Sequence, residues 1–347
     1  MKISKKHGAY YLLGLLPIMI AAVFVIVLSG CCLNLSSLVS PTTQTAQTSS
    51  EVTQESDTQT AQTSAESTPD ETTAQETDAQ SGLEGIDGTI ATEFKKMVDG
   101  TENPLNLLNY VDANIDKVNK EAATYMIGEA IRLSEEKKFE FSDKYYQAGI
   151  QDKIFDALGG SYEVDMQALI NTQDSTLKAL IDETVARKYK VLSTEGVFIP
   201  LVDYAAYDVY YDYINDELKD FISVYLDESN QPSILDLGVV ISVNEFLKRI
   251  DKAFVYLENY PDSTRFDKIK QLNGGRLNVY LGGIDNTPVF DGSNKIYPEK
   301  LTEMQAFAQQ YNGTKLGQIL DDYLALLAQE NYIKTSNVDD FLSDLYS

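Results

Sequence analysis

From about position 86 onward, apolar residues recur with a helical period. Leu316, Ile319, Leu320, Tyr323, Leu324 and Leu327 fall at i, i+3, i+4, i+7, i+8 and i+11, one face of an amphipathic helix. Leu177, Leu180, Ile181 and Thr184 follow the same spacing. A third stretch carries its own start signal: Ser242 and Glu245 make a capping box, with Ile241 and Phe246 placed for a hydrophobic staple. The pattern predicts helices near 89–98, 104–117, 119–138, 142–158, 165–171, 175–190, 203–227, 243–259, 263–281, 298–311, 314–330 and 337–345. Only Tyr189–Val202 reads as strand. There Val191-Leu192 and Val197-Phe198-Ile199 flank a Thr194-Glu195-Gly196 turn, and Pro200 confines the ribbon to a sheet edge. The predicted class is mainly α, a multi-helix array of antiparallel helical hairpins with one short β-hairpin near 189–202.

The first 32 residues follow another pattern. Met1–His7 is basic through Lys2, Lys5 and Lys6, and Ala9–Leu28 is almost wholly apolar. Leu28-Ser29-Gly30-Cys31 follows. A basic start, an apolar run and small residues before a cut site describe a secretory signal. The last four residues resemble the lipobox of bacterial lipoproteins, which implies cleavage before Cys31 and a diacylglyceryl thioether on its sulfur. At ~1.5 Å per residue the apolar run also reaches about 30 Å, enough to stay as a transmembrane anchor. Either way the lysines stay cytoplasmic and the remainder faces outside.

Between these regions lies a run of Thr, Ser, Gln, Ala and Glu, in which Thr43–Ser49 recurs as Thr58–Ser64. From Pro41 to Ser81 the only aliphatic residue larger than Ala is Val52. Such a segment buries too little apolar surface to offset chain entropy and is predicted to be a disordered tether. As a flexible coil its root-mean-square span is about 40 Å. The organisation expected is 1–30 signal peptide or membrane anchor, 31–85 tether and 86–347 folded domain, with a subdivision near 230.

Charge and cysteine content narrow the functions. The chain of 347 residues has a net charge of −25, and the segment beyond the tether keeps 25 basic against 44 acidic residues. Nucleic acid is excluded as a partner, because so acidic a surface repels phosphate. The sole histidine is His7 and the two cysteines are Cys31 and Cys32. A disulfide framework, a His/Cys zinc site and any triad needing His or Cys in the folded part are therefore excluded.

Phe254–Ser263, containing Tyr260-Pro261-Asp262-Ser263, resembles the helix–turn–helix corner of tetratricopeptide-like repeats, and Met304–Thr314 is a looser second copy. Pro261 stops one helix and Asp262 or Ser263 is placed to cap the next. The resemblance covers roughly 243–330 and lacks that family's ~34-residue period. It implies antiparallel helices whose facing sides include Phe254 and Leu257.

Ser175-Thr176-Leu177-Lys178 resembles the Ser-x-x-Lys of penicillin-binding proteins and serine β-lactamases, with Tyr213-Ile214-Asn215 and Lys334-Thr335-Ser336 in the order of that family's later motifs. Ser-x-x-Lys also occurs at Ser134–Lys137, the third motif lacks its Gly, and no strands are predicted to build the required sheet. Ser175 therefore reads as a helix start beside Asp174, and no catalytic residue is assigned. Tyr204, Tyr207 and Tyr211 lie on one face of an aromatic–acidic stretch and form a candidate ligand-contact face, with ordinary core packing as the alternative. Asp208 and Asp212 are like charges one turn apart, but no Asp-x-Asp-x-Asp-Gly calcium loop accompanies them. No Gly-rich phosphate loop is present, and no cofactor or metal is expected.

The expectation is a bacterial lipoprotein held in the cell membrane through Cys31. Its helical domain faces outside as a non-enzymatic binding or scaffolding module for envelope proteins or polysaccharide. The alternative is a carbohydrate- or peptidoglycan-acting enzyme that uses paired carboxylates.

Overall fold

The computed structural model describes residues 88–100 and 103–345. The anchor segment 1–30, Cys31 and the tether 31–85 lie outside them. Twelve α-helices and two small ribbons make up the described chain: α1 (Gly88–Gly100), α2 (Pro104–Asn114), α3 (Lys120–Ser142), α4 (Ile150–Ala157), α5 (Met166–Ile170), α6 (Ser175–Ala186), β1 (Tyr189–Thr194), β2 (Val197–Val202), α7 (Asp216–Asn230), β3 (Ile234–Leu235), β4 (Gly238–Val239), α8 (Val243–Asn259), α9 (Phe266–Gly282), α10 (Pro298–Gln310), α11 (Lys315–Gln329) and α12 (Ser336–Asp344). The fold is mainly α with a short β-hairpin, as the periodicity predicts.

Short polar side chains set the helix starts. Asn119 accepts from Ala122 N at 2.9 Å, Asn215 from Leu218 N at 2.9 Å, Ser242 from Glu245 N at 3.2 Å and Thr314 from Gly317 N at 3.2 Å. Each satisfies one of the orphan donors of its first turn. The same chemistry corrects the helix expected at 203–227. Tyr204–Tyr210 is a 3₁₀ turn, and α7 starts only at Asp216 because the Asn215 side chain takes the N–H that a continuous helix would need. Likewise the stretch expected as one helix from 142 turns after Ser142, and Gly149, at φ +78°, precedes α4. The helix expected at 175–190 ends at Ala186, leaving Lys188 at φ +56° before β1.

The β1–β2 hairpin pairs Tyr189 with Val202 and Thr194 with Val197, and turns through Glu195 and Gly196, both at positive φ. Pro200 sits opposite Val191, whose N–H points away from the ribbon to Met166 Sδ at 3.3 Å. At this pair no ladder donor is demanded of the proline, so it fits. Gln151 seals the outer edge: its Oε1 accepts from Phe198 N at 2.8 Å, and its Nε2 donates to Phe198 O at 2.9 Å. The second ribbon, β3–β4 around Asp236-Leu237, has no counterpart in the sequence reading.

Two apolar clusters fill the domain. One gathers side chains from α1 to α7 and the hairpin, and the other gathers β3 to α12. Helices α8 and α9 contribute to both. Phe246, Leu247 and Ile250 of α8 enter the second cluster and Ala253 and Tyr256 the first, while Ile269 and Leu272 of α9 enter the first and Leu277 and Leu281 the second. The two helices run antiparallel, since Arg276 Nη1, ten residues into α9, donates to Arg249 O, ten residues from the end of α8, at 3.3 Å. At the corner between them, Ser263 accepts from Arg265 N at 3.0 Å rather than capping α9, which begins at Phe266. The fully buried position near the end of α8 is Tyr256, whereas Phe254 and Leu257 are half-buried. Helices α10 and α11 pack as a second hairpin through Tyr311–Thr314.

Candidate functional site

The aromatic–acidic stretch is placed inside the fold. Tyr204 and Tyr207 are 4% and 0% exposed, and only Tyr211 is half-buried, so the three do not form an open face. Tyr204 stacks on Tyr225 with centroids 5.0 Å apart and hydrogen-bonds to Glu135 of α3, and Tyr207 donates to Ser134 Oγ at 3.4 Å. Burial holds the Tyr204 phenol well above its ordinary pKa, and Tyr225 and Tyr207 beside it add to this. The stretch also cradles Lys188, which the sequence did not single out. The Lys188 Nζ donates to Ala206 O at 2.9 Å and lies over the Tyr207 and Tyr210 rings at 5.6 and 4.9 Å. Burial lowers the Lys188 pKa against the pull of Asp112, Asp208 and Asp203.

Phenol–carboxylate bonds recur between elements. Tyr210 bonds Asp112, Tyr256 bonds Glu217, Tyr260 bonds Asp220 at 2.7 Å and Tyr110 bonds Glu93 at 3.1 Å. Each joins two helices or a helix and a turn. A tyrosine with an acceptor at its tip supplies apolar area and a directional bond in one side chain.

Where the two apolar clusters meet stands a buried charge cluster. Glu228 of α7 is 4% exposed, Arg249 of α8 is 5% and Arg276 of α9 is 2%. Glu228 Oε1 accepts from Arg249 Nη1 at 3.2 Å and Arg276 Nη2 at 2.9 Å, while Oε2 accepts from Ser233 N at 2.8 Å and Ser233 Oγ at 2.9 Å. Arg249 reaches further, to Gln231 O at 2.6 Å and Glu245 Oε1 at 3.2 Å. The sequence reading does not single out this trio, because its members are far apart in the chain and each alone reads as a surface residue.

Beside the trio lies a cavity of about 30 Å³, lined by Glu135, Lys138, Leu201, Val202, Tyr204, Tyr225, Glu228 and Ser229. It has room for a water molecule or two. Two carboxylates line it, the arrangement the enzymatic alternative requires, but ligand pockets run to ~300–1,000 Å³. Both carboxylates are also engaged: Glu228 with four donors, and Glu135 with the Tyr204 hydroxyl and Lys268.

The serine–lysine motif is dispersed. Asp174, not Ser175, caps α6, accepting from Leu177 N at 2.8 Å, and it is held by Lys153 at 2.7 Å. Lys178 is paired with Asp182 on the surface. Lys334 pairs with Asp339 at 3.1 Å between α11 and α12, with no sheet beneath it. Among the described residues no cluster of His, Cys, Asp and Glu is arranged to hold a metal, and no helix is long and apolar enough to cross a membrane. Comparison with protein-family models, with curated proteins and with solved structures finds no match for this chain.

Proposed function

We propose that the chain is an exported protein anchored to a bacterial membrane through a lipid on Cys31. Its tether carries the helical domain away from the surface, and the domain is a non-enzymatic binding or scaffolding module for envelope proteins or polysaccharide. The observation behind the location is Leu28-Ser29-Gly30-Cys31 following directly on a basic start and an apolar run. The non-catalytic half of the proposal is supported by the way the reactive side chains are spent. The hydroxyls of Tyr110 and Tyr260, Lys178, Arg249 and Arg276 each bond a carboxylate across or along helices, a use of these groups that fixes shape.

The test is protease added to intact cells, followed by detection of the domain. Digestion of residues 86–347 without lysis is expected from a domain on an outward tether. Protection until the cells are lysed would overturn the topology.

A further inference from the structure

We propose that the domain is jointed: the part built on the first apolar cluster and the part built on the second swing about the middle of α9, and a surface contact latches them closed. The first observation is where the two clusters divide. Ile269 and Leu272 of α9 belong to one, Leu277 and Leu281 belong to the other, and the residues between Leu272 and Leu277 are Asn273-Gly274-Gly275-Arg276. Helix α8 crosses the same boundary between Ile250 and Ala253 through Asp251-Lys252, so neither helix puts an apolar side chain there. A glycine pair is one of the few causes of a sharp helix bend, because two successive residues lack the Cβ that restricts the backbone.

The second observation is unmet hydrogen bonding at that level. Asn273 is 1% exposed, and neither its amide nitrogen nor its amide oxygen has a partner; Arg276 is 2% exposed and its Nε is likewise unpartnered. Buried polar groups left unpaired are unfavourable, and water admitted by a bend at Gly274-Gly275 satisfies them. The closed form therefore forgoes hydrogen bonds that the open form regains, which eases opening. The guanidinium end of Arg276 stays tied, Nη2 to Glu228 of α7 at 2.9 Å and Nη1 to Arg249 O of α8 at 3.3 Å, which places the pivot at this level.

The third observation is a contact across the divide. The β3–β4 turn packs with the second cluster through Leu237 and Val239, and the β1–β2 hairpin packs with the first. On the surface, Asp236 Oδ1 of that turn accepts from Thr194 Oγ1 at 3.0 Å and from Glu195 N at 2.9 Å, both at the hairpin tip. Asp236 and Leu237 lie at φ +49° and +56°, a conformation that suits Gly and Asn and strains leucine. Asn286 pins the turn in it, donating Nδ2 to Asp236 O at 2.5 Å and its N–H to Leu237 O at 2.8 Å. A carboxylate fixed on one part thus grips two donors on the other, and the contact is solvent-exposed, so it parts easily. A joint of this kind lets a domain change the face it presents to a partner.

The test is amide hydrogen exchange of the full chain in detergent, read residue by residue by mass spectrometry. Bending α9 at Gly274-Gly275 breaks the bonds from the N–H groups of Gly275–Asn278 to the carbonyls four residues before them. In the native protein these amides are expected to exchange about tenfold faster, or more, than those of Ile127, Ala130 and Ile131, which are buried in the middle of α3. Asp236→Ala removes the latch at an exposed position. It is expected to speed exchange at Gly275–Asn278 by about a further tenfold, the value of one hydrogen bond to a charged group, and to leave the α3 amides unchanged. Equal protection of the two sets in the native protein, no response of α9 to Asp236→Ala, or an equal rise in both helices, the mark of global unfolding, would each overturn the proposal.

Discussion

Glu228→Gln replaces one carboxylate oxygen with an NH₂ at almost constant volume, in a side chain that accepts four hydrogen bonds. If the amide nitrogen takes the Oε1 position, it points a donor at Arg249 Nη1 and Arg276 Nη2. If it takes the Oε2 position, the Ser233 N–H loses its acceptor. In both orientations the two guanidinium groups lose the one negative charge buried with them, and only Arg249 keeps a second carboxylate, Glu245, at 3.2 Å. Stranding a buried charge costs about 3–5 kcal/mol, a large share of a domain's ~5–15 kcal/mol. Since Gln retains one acceptor, the loss expected is about 3 kcal/mol. The control is Glu136→Gln, which breaks the exposed Arg132–Glu136 pair of α3 and should cost under ~0.5 kcal/mol. Urea unfolding followed by far-ultraviolet circular dichroism measures both. A cost below ~1 kcal/mol for Glu228→Gln, indistinguishable from the control, would refute the reasoning that the two arginines depend on the buried Glu228 charge.

Gly317→Ala should destabilise by roughly 1–3 kcal/mol although Ala favours helices, because its Cβ would stand 2.1 Å from the Tyr311 carbonyl oxygen; a gain of stability would mean the α10–α11 corner is looser than described. Burial raises the phenol pKa of Tyr204, Tyr207, Tyr225 and Tyr323 above the ordinary ~10, so the fold retains protons that the unfolded chain releases. That contribution is complete below pH ~10 and is lost as pH rises further. Ultraviolet titration should show a late class of tyrosines that ionises only with unfolding, and ionisation of all tyrosines near pH ~10 with the fold intact would refute it. Tyr260 is pushed up to about 12, chiefly by its hydrogen bond to Asp220, with burial, Asp216 and Glu217 adding to it, so Asp220→Asn should lower one phenol toward the ordinary range. Fluorescent penicillin should not label the domain; a label abolished by Ser175→Ala would restore the serine–lysine reading.

The elements that were legible in the sequence are those where side-chain chemistry is local. Ser242 caps α8 as read, with the Glu245 side chain bonded to Arg249; the α11 face is buried at Leu316, Leu320, Tyr323 and Leu327, and the 189–202 hairpin turns at Glu195-Gly196. Boundaries failed where a local cap outcompeted a continuing apolar pattern, as at Asn215, which splits the expected 203–227 helix. Near the end of α8, Phe254 and Leu257 pack against the apolar clusters as read, but the fully buried position between them, Tyr256, was not singled out. The hydroxyl of Tyr256, bonded to Glu217 and Ser263, is what selects it for the interior. The charge cluster was illegible for a different reason. Glu228, Arg249 and Arg276 are far apart in sequence, and each alone looks like a surface residue. Only tertiary contact shows that they satisfy one another, and that Tyr225 beside them is left with an open hydroxyl.

The measurement that bears most directly on the proposed function is the mass of the N-terminal peptide of the protein purified from membranes. The account expects the mature chain to begin at Cys31 with a diacylglyceryl group on its sulfur, to lose that group in Cys31→Ser, and to keep it in Cys32→Ser. An unmodified peptide running from Leu28 through Cys32 would contradict it.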